Sequence, residues 1–250
     1  MNRLIRHLVW RCSMFYHIYW PQFWYALFLP RRILSGPFAG MRYGRLSTGS
    51  VVLPKLIGTY ESELHDCLAS LPVREYGYCV DVGAGEGYYA VGLCWKFPHL
   101  KMTAFEQSAR GRRRIRALAD QNGVRNRILI NGRCGAGELQ NALNTEKRCF
   151  LIVDVEGFED TLMDIRLVPA LEKTDFIVEV HPERDASLGE KLLNRFEQTH
   201  DLTIIRQQNR SGKFPAAIRT PACLKGKTGY LMNEFRGPQF WIFGMARRVS

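Results

Sequence analysis

No acidic residue occurs in the first 60 positions of this 250-residue chain; the first is Glu61. Those positions hold eight Lys/Arg, so they carry eight of the eleven net positive charges, and the rest of the chain is only mildly basic. Cysteines at metal-ligand spacing are also missing. The seven present (Cys12, Cys67, Cys79, Cys94, Cys134, Cys149 and Cys223) are odd in number and scattered, so a zinc site is not expected. Several sit inside apolar runs, where a small buried thiol is usual, and the set reads as reduced core residues of a cytosol-like compartment. There is no internal repeat and no low-complexity linker. With 46% hydrophobic residues the chain can bury a full core, which sets disorder aside.

A clean membrane span is absent too. Residues 12–29 carry no formal charge, a length near the lower limit for crossing a bilayer. Yet His17, Pro21 and Gln22, with Tyr and Trp in excess of Leu and Ile, argue against burial in lipid. No small-residue cleavage site follows promptly, against a secretory signal, and an Arg-rich organellar transit peptide is a weaker reading. What this segment has is aromatics: Trp10, Phe15, Tyr16, Tyr19, Trp20, Phe23, Trp24, Tyr25 and Phe28. Aromatics interleaved with Arg suit the headgroup level of a membrane. Two readings stay open, a helical cap packed on the rest of the chain and a peripheral membrane contact. The expected location is cytoplasmic, at the inner face of a membrane in the second reading.

From about Tyr78 the pattern changes to short β-branched runs separated by helical periodicity, the mark of repeated βα units. Strands are predicted at 78–82, 101–106, 127–134, 149–156, 175–182, 202–208 and 239–246. Helices are predicted at 86–97, 108–123 with Ser108 as N-cap, 158–165 and 188–200. Seven strands with alternating helices give an α/β, doubly wound, mostly parallel sheet. The expected division is an aromatic, basic helical extension over 1–55 and an α/β domain over 56–250. In such sheets ligands sit beyond the carboxyl ends of the strands, where strand order reverses. Asp81, Glu106, Asp154, Glu156, Glu179 and His181 all fall at strand ends and should converge there.

The stretch "VDVGAGEGYY" places Gly83, Gly85 and Gly87 between a strand and a helix. The dinucleotide fingerprint is G-x-G-x-x-G, whereas this turn is G-x-G-x-G and is flanked by Asp81 and Glu86, which would repel a pyrophosphate. A cationic nucleoside without phosphates fits better. Glu106, 25 residues after Asp81, ends the second predicted strand, where a carboxylate can accept hydrogen bonds from both ribose hydroxyls. The ligand these features suggest is S-adenosylmethionine.

At this point the sequence resembles the class I S-adenosylmethionine-dependent methyltransferases, specifically the FkbM-like family. The residues that carry the likeness are "VDVGAGEGYYAVGL", "AFEQ", "LIVDVEGFED" and "VEVHP", with "KLIGTYESELH" upstream and "NEFRGPQFWI" near the end. It covers roughly residues 55–246 and leaves the aromatic segment outside. The resemblance implies a Rossmann-like fold and methylation of a hydroxyl on a sugar or other secondary metabolite. It implies that Asp81, Gly83, Gly85 and Gly87 line the methionine and ribose side of the cofactor and that Glu106 holds the ribose; Asp154, at the tip of the fourth predicted strand, is a further candidate to face the cofactor's methyl group. "NGRCG" after the third strand leaves Arg133 or Cys134 to meet the adenine.

Methyl transfer from a sulfonium needs alignment more than a strong catalyst, but an alcohol is a poor nucleophile whose proton must be managed. The first expectation is His181 as general base, since imidazole titrates near neutrality, with Asp154 or Glu156 orienting it or the acceptor. The second is an oxygen-rich site for Mg²⁺ built from Asp154, Glu156 and Glu179. Glu159 and Asp160 suit the start of a helix and stay outside the expected site.

Two basic runs remain. Most arginines of "RGRRRIR" should face solvent. The segment 206–230 has six basic residues and no acid and could close over an anionic glycan or lipid headgroup. An RNA methyltransferase is the rival reading, but base amino-group methylation uses an Asn/Asp-Pro-Pro-aromatic tetrad where this chain has "DVEG", so nucleic acid is not an expected partner. A non-catalytic, membrane-associated S-adenosylmethionine-binding module comes last, because the strand-end acids are all present.

Overall fold

Val, Ile, Phe and Leu runs become strands, and the intervening helical periods become helices. In chain order these are α1 (Trp20–Phe28), α2 (Val52–Ile57), α3 (His65–Ser70), β1 (Tyr76–Val82), α4 (Tyr88–Lys96), β2 (Lys101–Phe105), α5 (Ala109–Gln121) and β3 (Ile128–Asn131). They continue with α6 (Ala136–Leu143), β4 (Arg148–Val153), α7 (Glu159–Leu162), β5 (Asp175–Val180), α8 (Leu188–Phe196), β6 (His200–Arg206) and β7 (Phe240–Ala246). The structure, a computed structural model, describes residues 20–45, 47, 50–208, 215, 231–234 and 237–247. Contacts divide them into two units. One groups the described residues of Met1–Ser62 with those of Asn209–Phe235, and the other is Glu63–Gln208 with the described part of Arg236–Ser250. Against the linear division expected after residue 55, the first unit therefore also recruits a late segment.

The larger unit is built on a seven-stranded sheet of order β3-β2-β1-β4-β5-β7-β6. β1 pairs in parallel with both β2 and β4, and β4 with β5, whereas β7 runs antiparallel to β5 and β6. After β1 the chain moves outward to β2 and β3, then returns to the other side of β1 as β4. The order therefore reverses between β1 and β4, and in sheets of this kind ligands bind beyond the carboxyl ends of the strands at such a point. β5 is buried along its whole length and β4 in all but its first residue, which is why both read as nearly continuous apolar runs. On one face Val80, Val82, Leu151, Val153, Val178 and Val180 pack with Leu139, Leu143, Leu192 and Phe196 into one core.

Caps explain several element limits. Ser108 accepts a hydrogen bond from Gly111 N at 3.3 Å and starts α5 as expected. Helix α6 has no counterpart among the sequence predictions. It starts where Glu138 accepts from Gly135 N at 3.0 Å, and eight residues are too short a span for its period to stand out.

A buried network ties the sheet together across four strands. Asp175, fully buried on β5, accepts from Tyr76 Oη at 2.5 Å and Ala246 N at 2.8 Å and pairs with Arg148 at 2.6 Å. Burial, then the bond to Asp175, pushes the Tyr76 phenol well above its ordinary value. Removing one partner of such a pair strands a buried charge, at a typical cost of about 3–5 kcal/mol. The described cysteines Cys67, Cys79, Cys94, Cys134 and Cys149 are all buried and unbridged. Burial pushes the thiols of Cys67, Cys94, Cys134 and Cys149 up to about 12, so they are inert at neutral pH. Cys12 and Cys223 lie outside the described residues.

In the other unit, α1 packs against α2. The Arg45 guanidinium donates to the carbonyls of Ala26 and Leu27, at 3.2 and 2.6 Å, and so satisfies the end of α1. Gln22 Nε2 donates to Asn233 O at 3.2 Å, and Glu234 accepts from Glu61 N at 3.0 Å. Residues 231–234 are thereby held to this unit. The aromatic segment before Trp20 and most of the basic segment 206–230 lie outside the described residues.

Candidate active site

The glycine turn after β1 is held by the tip of β2. Gly83 N and Ala84 N both donate to Phe105 O at 3.0 Å, and Gly85 N donates to Glu106 Oε2 at 2.9 Å. The other Glu106 oxygen accepts from Ser108 N at 2.7 Å. An ionised carboxylate has about four acceptor sites, so two bonds anchor Glu106 and leave capacity for ribose hydroxyls. Gly83, Gly85 and Gly87 have φ of 86°, 56° and 92°. At Gly83 there is a second constraint: a Cβ would lie 1.7 Å from the backbone oxygen of Asp154. Together with Asp154 N donating to Val82 O at 2.9 Å, this brings the tips of β1 and β4 into main-chain contact. Asp81 is buried at the end of β1.

The expected fourth strand extends to 156, but β4 stops at Val153, and Glu156 takes the left-handed conformation with φ 55°, followed by Gly157 at 107°. Strand alternation is therefore not what brings Asp154 and Glu156 together. A tight turn does it, with Glu156 in a backbone region that costs a non-glycine residue about 1–2 kcal/mol. Asp154, Glu156 and His181 each offer a ligand atom, and these atoms lie within 4.8 Å of one another. His181 and Glu179 come from the end of β5, two residues apart and so on one face.

The imidazole organises the group. His181 Nδ1 donates to Glu159 Oε1 at 2.7 Å, while Nε2 faces Glu156 at 3.7 Å, Asp154 at 3.8 Å and Glu179 at 4.0 Å. Those three oxygens lie beyond hydrogen-bond reach of Nε2. The Glu159 side chain is fully buried, whereas that of Glu156 is 73% exposed. Burial alone would raise the Glu159 carboxyl, but hydrogen bonds from His181 and from the backbone of Glu159 and Gly157 bring it below the usual carboxylate value. For His181, burial pulls the pKa down, and the Glu159 bond with the charges of Asp154, Glu159 and Glu156 raises it above 6.5. Gln239 donates to Glu179 and holds that buried carboxylate in place.

Of the sequence-predicted residues, Asp154, Glu156, Glu179 and His181 are brought into one cluster, and Gly83, Gly85 and Glu106 into one cradle. Two contributors were not among them. Glu159 does open α7, as the helix-start reading expects, and is also the partner of His181; Asp160 stays outside, paired with Arg195 at 2.7 Å. Gly111 was missed altogether: a Cβ there would meet Glu106 Cγ at 2.5 Å and Gly85 O at 2.7 Å. Its signal was present, since a glycine inside a helix costs about 1 kcal/mol relative to alanine. Of the adenine candidates, Cys134 is buried in the core, and Arg133 is exposed with its guanidinium 5.6 Å from the Phe158 ring centre. In α5, Arg110, Arg113 and Arg116 face solvent as expected, whereas Arg112 turns inward to the carbonyls of Glu106 and Gln107.

No family model matches the chain, and no curated protein matches it in sequence. Solved structures do match in shape. The O-methyltransferase TomG from Streptomyces achromogenes, involved in tomaymycin synthesis and solved with S-adenosylmethionine, superposes with a TM-score of 0.50 at 12% identity, over 76% of this chain and 81% of that one. An O-methyltransferase from Bacillus cereus in complex with SAH gives 0.50 at 10% identity, over 76% and 82%. Cofactor-bound Rv0187 from MTB gives 0.50 at 11%, over 75% and 80%. At such identities the likeness speaks for architecture. The chain has the Rossmann-like, seven-stranded fold of the class I S-adenosylmethionine-dependent methyltransferases.

Proposed function

We propose that this protein is an S-adenosylmethionine-dependent O-methyltransferase acting on a hydroxyl of a saccharide or related small molecule, of the FkbM-like type that its motifs resemble. The observation that carries the reading is the His181–Glu159 pair. One imidazole nitrogen is tied to a buried carboxylate, and the other faces the carboxylates of Asp154, Glu156 and Glu179 beyond the carboxyl ends of β4 and β5. The cofactor, when bound, supplies an electrophilic methyl on a sulfonium. Asp81 and the backbone of Gly83, Gly85 and Gly87 would hold its methionine and ribose side, with Glu106 on the ribose hydroxyls. The Gly83–Asp154 contact then sets the methionine side of the cradle next to the acid cluster. His181 Nε2 would take the acceptor's hydroxyl proton, while Glu159 fixes the tautomer and stabilises the imidazolium. Asp154 and Glu156, half-exposed and exposed, would accept hydrogen bonds from neighbouring hydroxyls, which suits a polyol.

A second reading has one observation in its favour. The convergence of Asp154, Glu156 and His181 suits a divalent cation that would polarise the hydroxyl instead, with Glu159 in the role of the carboxylate behind a histidine ligand. One assay separates the two: transfer of labelled methyl to a panel of sugars and small alcohols, across pH, with and without chelator. With His181 as base, transfer survives chelation and falls as pH drops through an acidic limb above 6.5, because only neutral imidazole accepts the proton. Glu159→Gln removes a charge that favours the imidazolium, so the limb should move to lower pH and the plateau fall by roughly tenfold or more. Loss of transfer on chelation, restored by Mg²⁺ or Mn²⁺, would assign the site to a cation.

A further inference from the structure

All of the chain's net charge belongs to one unit. The sequence of Met1–Ser62 with Asn209–Phe235 holds thirteen Lys/Arg and two acids, which equals the whole excess of eleven; the larger unit holds 22 of each sign. The two acids, Glu61 and Glu234, are buried. The described surface of this unit therefore presents cations without exposed carboxylates.

Beside those cations lies an apolar helix face. α1 carries no charge, and at 100° per residue Phe23, Trp24, Leu27 and Phe28 occupy a sector of roughly 140°. Phe23 and Trp24 are each 46% exposed and Phe28 is 80% exposed. The opposite side of the helix, with Gln22, Tyr25 and Ala26, is buried. Three residues past the end of α1 the chain enters a small hairpin in which Ile33, Met41 and Tyr43 turn inward and Arg31, Arg32 and Arg42 are exposed. Arg32 and Arg42 sit opposite one another in an antiparallel bridge, where like charges repel.

We propose that this unit docks on an anionic phospholipid surface, with Phe23, Trp24 and Phe28 entering the headgroup level and Arg31, Arg32 and Arg42 meeting lipid phosphates. Aromatic side chains with flanking basic residues are the composition of an interfacial helix, and no helix among the described residues is long and apolar enough to cross a membrane. A second copy of the chain is the disfavoured occupant. An isologous contact through the same face would bring the exposed arginines of both copies together.

The test uses the full chain and co-sedimentation with vesicles of phosphatidylcholine, with or without phosphatidylserine. Binding is expected to the anionic vesicles, at least tenfold weaker to the neutral ones, and to weaken with salt. Phe28→Ser removes an exposed side chain, so the variant should keep its circular dichroism and melting temperature while losing roughly tenfold or more in binding. Arg31→Glu with Arg32→Glu should lose on the order of twentyfold or more. Absence of binding, equal binding to both vesicle types, or a Phe28→Ser variant that binds like the parent would each overturn the proposal. A concentration-dependent dimer in light scattering, dissolved by Phe28→Ser and indifferent to vesicles, would overturn it in favour of a second copy.

Discussion

Replacing His181 by alanine is expected to lower methyl transfer by about 10²–10⁴-fold while leaving affinity for S-adenosylmethionine unchanged. That range is what a positioned general base contributes. The imidazole comes from the end of β5, whereas the cradle is made by β1, the tip of β2 and the start of α5, so the two can be damaged separately. The Glu159 carboxylate would then be buried without its imidazole, and the variant should lose some stability as well. Single-turnover rates at saturating cofactor, with calorimetric titration of the same preparation, distinguish the outcomes. Unchanged turnover removes His181 from the chemistry. Equal loss of turnover and cofactor affinity would mean that the fold around the site had been damaged.

The second large effect is predicted at Gly83. Alanine there must adopt φ near 86° and would set its Cβ 1.7 Å from the Asp154 backbone oxygen. The obstacle is main chain rather than the end of a flexible side chain, so the tips of β1 and β4 must separate. Left-handed strain alone costs about 1–2 kcal/mol, and parting the strands adds to it. Gly83→Ala should therefore lower the melting temperature and weaken S-adenosylmethionine at least tenfold, because the turn and Asp154 move together. Gly132→Ala is the matching control, since a Cβ there meets nothing within 4 Å. Parent-like affinity in Gly83→Ala would show that the contact does not shape the cradle.

The parallel sheet was legible in the sequence because its central strands are buried on both faces and therefore nearly continuous apolar runs, as β4 and β5 illustrate. Strand ends were less legible. The fourth apolar run continues through Val155, so nothing local marks Val153 as the last paired residue; the stop is made by Glu156 and Gly157 in left-handed geometry. The pairing of Glu159 with His181 was hidden for a related reason. An acid opening a helix has a sufficient local explanation in the dipole, and only the return of β5 beside β4 places His181 within 2.7 Å of it. Gly111 depends on a contact between α5 and a turn more than twenty residues earlier, which periodicity cannot express. The glycine turn and the acid after β2 were legible because each sits in a short βα connection, the first between β1 and α4 and the second between β2 and α5.

The account rests most heavily on the cofactor, and calorimetric titration of the folded chain with S-adenosylmethionine tests it directly. Stoichiometric binding is predicted, and Glu106→Ala should weaken it by at least tenfold, since the variant loses both the anchor on Gly85 N and the acceptor for ribose hydroxyls. A folded protein that takes up no S-adenosylmethionine, or a Glu106→Ala variant that binds it as tightly as the parent, would contradict the account.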